Sequence, residues 1–186
     1  MIEAAFQLAD GRIIAPYNLR SAVYDYAAFW PGLLGSWEPN YPMQPVAMFV
    51  TYGFLHGGLA HLGFNMVTLW SLGRIVLYRE GPGGFLGVYF ASMIGGGALF
   101  GLMSPNGPPM VGASGALFGL AGAILLWLWR AQPTLADSLR ATWRIYAFLI
   151  LYNVVVYFAL DGGLAWETHL GGFLAGWLLA WIFDDR

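Results

Sequence analysis

The sequence predicts an all-α, polytopic membrane protein, and three observations carry that reading. Hydrophobic residues make up 59% of the 186 positions and charged residues only 10%, against roughly 45–50% and about 25% in ordinary globular domains. The apolar residues are gathered into five long stretches separated by arginines, acidic residues or proline–glycine turns. Nine tryptophans are present, and indole rings favour the membrane–water interface.

The five stretches follow in order. Leu59 to about Val76 is closed by Arg74 and Arg79, and the glycine-rich run Phe85 to Met103 ends in the turn Ser104-Pro-Asn-Gly-Pro-Pro109. Ser114 to Trp129 stops at Arg130, Ile145 to Leu160 is followed by Asp161-Gly-Gly163, and His169 to Phe183 ends at Asp184-Asp185-Arg186. Several fall short of the ~20 residues that cross a bilayer core. A helix within a bundle can begin below the membrane surface where protein or water, not lipid, surrounds its end.

Arginine sets the orientation, because the chain has no lysine. Arg74 and Arg79 lie between the first two stretches, and Arg130, Arg140 and Arg144 between the third and fourth, whereas the segment Ser104 to Val111 is uncharged. The positive-inside rule places the arginine loops in the cytoplasm, so stretches one, three and five run inward. The semi-polar segment up to about Pro45 then lies outside, as an interfacial region with short helices such as Leu19 to Phe29.

Composition also excludes chemistry. With no cysteine there are no disulfides, thiolate metal sites or cysteine nucleophile, and a net charge of −2 without a basic run gives no sign of a nucleic-acid partner. Met1 to Arg12 has neither a basic start nor a long apolar core, so it does not read as a signal peptide.

Ionisable groups within membrane stretches are functional hypotheses by default, because burying one unpaired in hydrocarbon is costly. His61 and Asn65 are four apart and share a helix face; His169 opens the last stretch and Ser114 the third. At 1.5 Å per residue, His61 stands about 20 Å above Arg74, Ser114 about 24 Å above Arg130 and His169 about 22 Å above Asp184. Three inward-running helices thus deliver a hydroxyl and two imidazoles to one shallow layer beneath the outer surface. A serine hydroxyl is a weak nucleophile until a base takes its proton, and neutral histidine suits that task. The free N–H groups at the head of the Ser114 helix, with His61 and Asn65, would face an oxyanion. Glu167 faces the loop in this reading, which makes the site a dyad, not a triad.

Each element also has a plainer reading. Small residues let membrane helices approach closely, and Gly115–Gly119 and Gly172–Gly176 are both GxxxG patterns. The His61–Asn65 pair could bond between helices, and His169 could bind a carbonyl. Three histidines could hold a metal, but the serine's placement would then be unexplained, so neither metal nor cofactor is expected. The common depth of all four residues is what packing alone does not require.

FLHGGLAHLGFN (Phe54 to Asn65), GASGALFG (Gly112 to Gly119) and HLGGFLAG (His169 to Gly176), in that order, resemble the rhomboid family of intramembrane serine proteases over roughly Gln44 to Phe183. The resemblance implies a six-helix, rhomboid-like bundle that cleaves transmembrane segments of other proteins. It implies Ser114 as nucleophile, His169 as general base, and His61, Asn65 and the Ser114 amide as the oxyanion hole. Gly112 and Gly115 match the motif glycines, Phe118 an aromatic position beside the base, and His56 a structural histidine of the first external loop. Two positions depart from the pattern: Ala47-Met48 stand where relatives often carry Trp-Arg, and Leu77 where many carry glutamate.

The family's first helix is not evident. Met1 to Ala9 is apolar enough for the outer end of one, but Asp10 stops it after about 14 Å of helix. The reading is therefore five clear transmembrane helices with the first truncated, residues 1–45 being its remnant plus the external loop and 46–186 the catalytic core. The expected partners are the lipid bilayer and transmembrane substrates, and the expected location a bacterial plasma membrane with the site toward the outer face. The main alternative is a non-catalytic rhomboid-like binder of membrane-protein clients, although such relatives lose the serine or histidine. A channel fits poorly, since Leu120 to Trp129 and Leu174 to Phe183 offer almost no polar path.

Overall fold

The computed structural model describes residues 2–10 and 19–184, and the described residues are overwhelmingly helical. In chain order they form α1 (Ile2–Asp10), α2 (Leu19–Ala27), a 3-10 turn (Pro31–Leu34), α3 (Gln44–Thr51), a second 3-10 turn (Tyr52–Phe54), α4 (Leu59–Met103), α5 (Ser114–Arg130), α6 (Leu135–Ala159) and α7 (Trp166–Asp184). Residues at the chain's two extremities and in the 11–18 segment, including Asp10's side chain and Arg12, lie outside what is described.

The first two apolar stretches are limbs of one helical run. α4 continues through Arg74, Arg79 and Glu80 and bends at Gly81, whose φ of 70° departs from helical values. Pro82 begins the second limb, where its missing N–H costs nothing because the first turn of a helix has no intrahelical acceptor for it. The break expected between Val76 and Phe85 is present but confined to Gly81-Pro82, so each limb runs closer to it than the apolar stretches do.

α5 is the middle of the bundle. Its buried residues, among them Gly115, Ala116, Leu120, Ala123 and Leu126, point in all directions, the mark of a helix surrounded by protein. It packs most extensively against α7 and then α4, and α4 packs against α7. Glycines set the α5–α7 distance: a Cβ on Gly172 would run into the Gly115 carbonyl, and one on Gly176 into the Gly119 carbonyl. Here the two backbones touch, as small-xxx-small patterns allow.

α6 begins ten residues before its apolar stretch. Thr134 caps it, accepting from the Asp137 N–H at 3.2 Å, and Ser138 and Thr142 are its buried residues. From Trp143 onward no residue of α6 is buried, and a stripe of Tyr146, Leu149, Asn153 and Val156 is half-buried. Apolar side chains such as Phe148, Leu151 and Phe158 project outward, a surface suited to lipid. α4 and α6 are each long and apolar enough to cross a membrane, and α5 is an apolar helix of 17 residues.

The segment before α4 closes the end of the bundle at which α5 begins. Phe29 and Met110 form a reciprocal antiparallel bridge, with N–H to O distances of 3.0 and 2.9 Å. The Tyr52 hydroxyl donates to the Met93 carbonyl at 2.8 Å inside the main core of Phe29, Met48, Met93, Leu117 and Leu120. Phe6 of α1, Ala28 just after α2 and Leu55 just before α4 form a smaller cluster. Arg20 grips the Glu3 carboxylate with both terminal nitrogens, at 2.8 and 3.1 Å, and donates to the His56 carbonyl at 2.9 Å.

Candidate active site

The site begins with a glycine. Gly112 has a φ of 128°, a conformation in which a side chain would be strained, and its N–H donates to the Tyr52 carbonyl at 3.0 Å. Together with the Phe29–Met110 bridge, this turns the chain so that Ser114 is the first residue of α5. No side chain caps that helix, so the N–H groups of its first turn have no partner within the helix and face the space around the serine.

His169 stands on the first turn of α7 and is buried, with 4% of its surface exposed. Its Nε2 lies 2.8 Å from Ser114 Oγ. The imidazole stacks on Phe118 with ring centroids 4.1 Å apart and planes within 7°. Phe118 is one turn beyond Ser114 on α5, so the helix that supplies the hydroxyl also supplies the plate against which the imidazole lies. On its far side, His169 Nδ1 is 2.6 Å from Asn153 Oδ1 of α6.

His61 and Asn65 share the first turns of α4. The Gly57 N–H donates to His61 Nδ1 at 3.2 Å, which leaves the ring proton on Nε2 as a donor. A Cβ built on Gly112 would lie 2.9 Å from His61 Nε2 and 3.9 Å from Ser114 Oγ. The bare glycine therefore keeps open a small space between the donor and the hydroxyl. Asn65 is buried; its Nδ2 donates to the His61 carbonyl at 2.7 Å, leaving the second amide proton of that group.

His56 is not part of this constellation but supports it. Its carbonyl receives the Arg20 guanidinium and, at 2.8 Å, the Tyr24 hydroxyl, and its ring meets His61 edge-on at 5.2 Å. Burial, reinforced by the neighbouring His61 and opposed by Glu3, pushes His56 down to about 4. Glu167 turns away from His169: its Oε1 accepts from Ser104 Oγ at 2.7 Å. Among the described residues, no three histidine, aspartate or glutamate side chains converge to hold a metal.

Two cavities flank the pair. One of about 190 Å³, lined by Ser114, Asn65, Thr68, Phe118 and Tyr152, lies between α4, α5 and α6. The other, about 540 Å³, lies between α6 and α7 behind His169, with Asn153, Leu149, Trp166 and Phe173 in its wall. Asn153 is the residue that the sequence reading passed over. Its signal was available, as the one amide among the otherwise aliphatic and aromatic side chains of Ile145 to Leu160, but nothing in that stretch pairs it with a histidine sixteen positions on.

A hydroxyl, an imidazole at hydrogen-bonding distance and several N–H donors around a small open space can together perform acyl transfer. Comparison with known proteins shows the family of the chain as a whole. Residues 44–186 match the family profile described as Rhomboid domain. The chain is 36% identical over 126 residues to "Rhomboid protease GluP" of Bacillus subtilis, covering 68% of this chain and 24% of that protein. It is 34% identical over 157 residues to "Rhomboid-like protease 3" of Toxoplasma gondii, covering 83% and 58%. To "Rhomboid protein 1, mitochondrial" of Saccharomyces cerevisiae it is 32% identical over 139 residues, covering 70% and 40%. The matched region thus spans between a quarter and three-fifths of these relatives' lengths.

Proposed function

The chain belongs to the rhomboid family of membrane proteins, and from that premise we propose that it is an intramembrane serine endopeptidase that cleaves transmembrane segments of other proteins. The observation that carries the reading is the 2.8 Å approach of His169 Nε2 to Ser114 Oγ at a helix head lined with N–H donors. In the proposed reaction His169 Nε2 takes the hydroxyl proton as Ser114 Oγ attacks the scissile carbonyl carbon. The resulting oxyanion accepts from the Ser114 N–H, the His61 Nε2–H and the free Asn65 amide proton. Return of the proton from His169 to the leaving nitrogen breaks the peptide bond and leaves an ester on Ser114. Water, deprotonated by the same imidazole, then hydrolyses that ester.

In this reading the two limbs of α4, with α5, α6 and α7, are five membrane spans with the site toward the outer face. Residues 46–186 form the catalytic core, and the described residues of the 1–45 segment lie on the external side. The substrate segment approaches through the cavity between α4 and α6, where Ser114 is reached without crossing the α5–α7 contact. The matched relatives come from Bacillus subtilis, Saccharomyces cerevisiae and Toxoplasma gondii, and the location we propose for this chain is a bacterial plasma membrane. A non-catalytic client binder is disfavoured because serine and histidine are both present at bonding distance.

The test is labelling of the purified, membrane-reconstituted chain with a fluorophosphonate. Wild type is expected to label, and Ser114→Ala and His169→Ala to lose the signal. A folded wild-type chain that stays unlabelled, or label that persists in Ser114→Ala, would overturn the proposal.

A further inference from the structure

We infer that Asn153 is a positioning residue that selects the protonation form of His169, so that the site works as a Ser114–His169–Asn153 relay whose third member is supplied by α6. The inference rests on the assignment of His169 as the base.

The hydrogen bonds determine the proton positions in sequence. Asn153 Nδ2 donates to the Leu149 carbonyl one turn earlier on α6, at 2.8 Å. That bond orients the amide: with the nitrogen committed to the helix carbonyl, the atom facing His169 is Oδ1, which only accepts. At 2.6 Å from Oδ1, His169 Nδ1 must therefore be the protonated nitrogen, since a lone pair there would oppose another lone pair. In a neutral imidazole the proton on Nδ1 leaves Nε2 with its lone pair. Nε2 is the atom 2.8 Å from Ser114 Oγ. Without such a partner the Nδ1 proton would face a cavity whose other nearby walls are Leu149, Phe118, Trp166 and Phe173, and an unmet N–H in apolar surroundings is costly. The opposite tautomer would then be favoured, and its Nε2–H could not take the serine proton.

The arrangement also makes the base depend on an element outside the tight core. Ser114, Phe118 and His169 belong to α5 and α7, whose backbones touch. Asn153 belongs to the outer half of α6, where no residue is buried. A displacement of α6 by one or two ångströms leaves the serine–histidine distance intact but removes the acceptor at Nδ1. Glu167 is engaged with Ser104, and among the described residues no aspartate takes the place of Asn153 at that nitrogen.

The test uses the full chain in lipid nanodiscs with ¹⁵N-labelled histidine, the three imidazoles assigned by single substitution. In wild type, His169 is expected to show a protonated Nδ1 and an unprotonated Nε2 near neutral pH. Asn153→Leu should shift the tautomer balance toward Nε2–H and slow fluorophosphonate labelling by about 10²-fold, the size of effect expected for a misplaced reacting group. Asn153→Asp, which keeps an acceptor at the same reach, should restore the Nδ1–H form and recover most of the rate. An Nε2–H tautomer in wild type, or a tautomer balance unchanged in Asn153→Leu, would overturn the inference. The imidazole spectrum does not depend on Ser114 reacting. A wild-type chain that shows the Nδ1–H form yet never labels would therefore sink the protease reading and leave the pairing of Asn153 with His169 standing.

Discussion

Gly112 shows how a single missing methyl group can matter to the chemistry. Two constraints meet there: a backbone φ of 128°, and a Cβ position that falls 2.8 Å from His61 Cε1 and 2.9 Å from its Nε2. An alanine would fill the space where the oxyanion is proposed to form and would push the His61 donor off its line. Gly112→Ala is expected to lower the labelling rate by about 10²-fold or more, comparable to the loss of one oxyanion-hole donor. The thermal midpoint should also fall, because a side chain in this region of backbone space costs about 1–3 kcal/mol. Retention of wild-type reactivity in a folded Gly112→Ala protein would show that the space has no role. Gly57 makes the complementary contribution through its N–H, which holds His61 in the form that donates from Nε2.

At the scale of elements, the α5–α7 contact is the part of the bundle least tolerant of change. Gly172→Ala places a methyl group against the Gly115 carbonyl, and neither backbone can rotate away as a side chain would. Forcing extra volume into such a contact costs about 1–3 kcal/mol, and here it would also separate Ser114 from His169. The variant is expected to unfold at lower temperature and to label more slowly, whereas Gly63→Ala, whose Cβ meets nothing within 4 Å, should do neither. Equal behaviour of the two would remove the special status of the glycine interface.

The helices were legible to different degrees for identifiable reasons. Ser114 to Trp129 differs from α5 by one residue because a glycine-rich turn and an arginine bracket it. Polar residues concealed the starts of two others: Thr134 and the run Leu135 to Arg144 form helical turns before α6 becomes apolar, and Trp166-Glu167-Thr168 precede His169 within α7. Hydropathy marks where a helix meets lipid, whereas a cap marks where it starts. The break expected between Val76 and Phe85 shrinks to the non-helical kink at Gly81-Pro82 that separates the two limbs of α4. Of the candidate site, Ser114, His169, His61 and Asn65 were traceable because motif and depth select them together, and the structure brings them close to one another. Asn153 was not, since its relation to His169 exists only once α6 lies beside α7.

For the whole molecule, the orientation proposed from the arginines can be measured directly because the chain has no cysteine. Asn106→Cys, in the exposed turn after α4, should react with a membrane-impermeant maleimide on intact cells. Ala131→Cys, in the exposed turn after α5, should react only after permeabilisation; the reverse pattern would invert the topology. The order of the parts along the chain has a consequence for biogenesis. The hydroxyl and the imidazole that meet at 2.8 Å are 55 residues apart, and the imidazole is on α7, the helix made after all the other packed limbs. At translation speeds of about 5–20 residues per second, Ser114 waits roughly 3–11 s for its partner. During that interval it is an ordinary alcohol in a half-built bundle, surrounded by other nascent membrane helices. If the proposed activity holds, a protein assembled in this order is disarmed until α7 has been inserted, and a ribosome stalled before α7 would leave behind a fragment that cannot cut its neighbours.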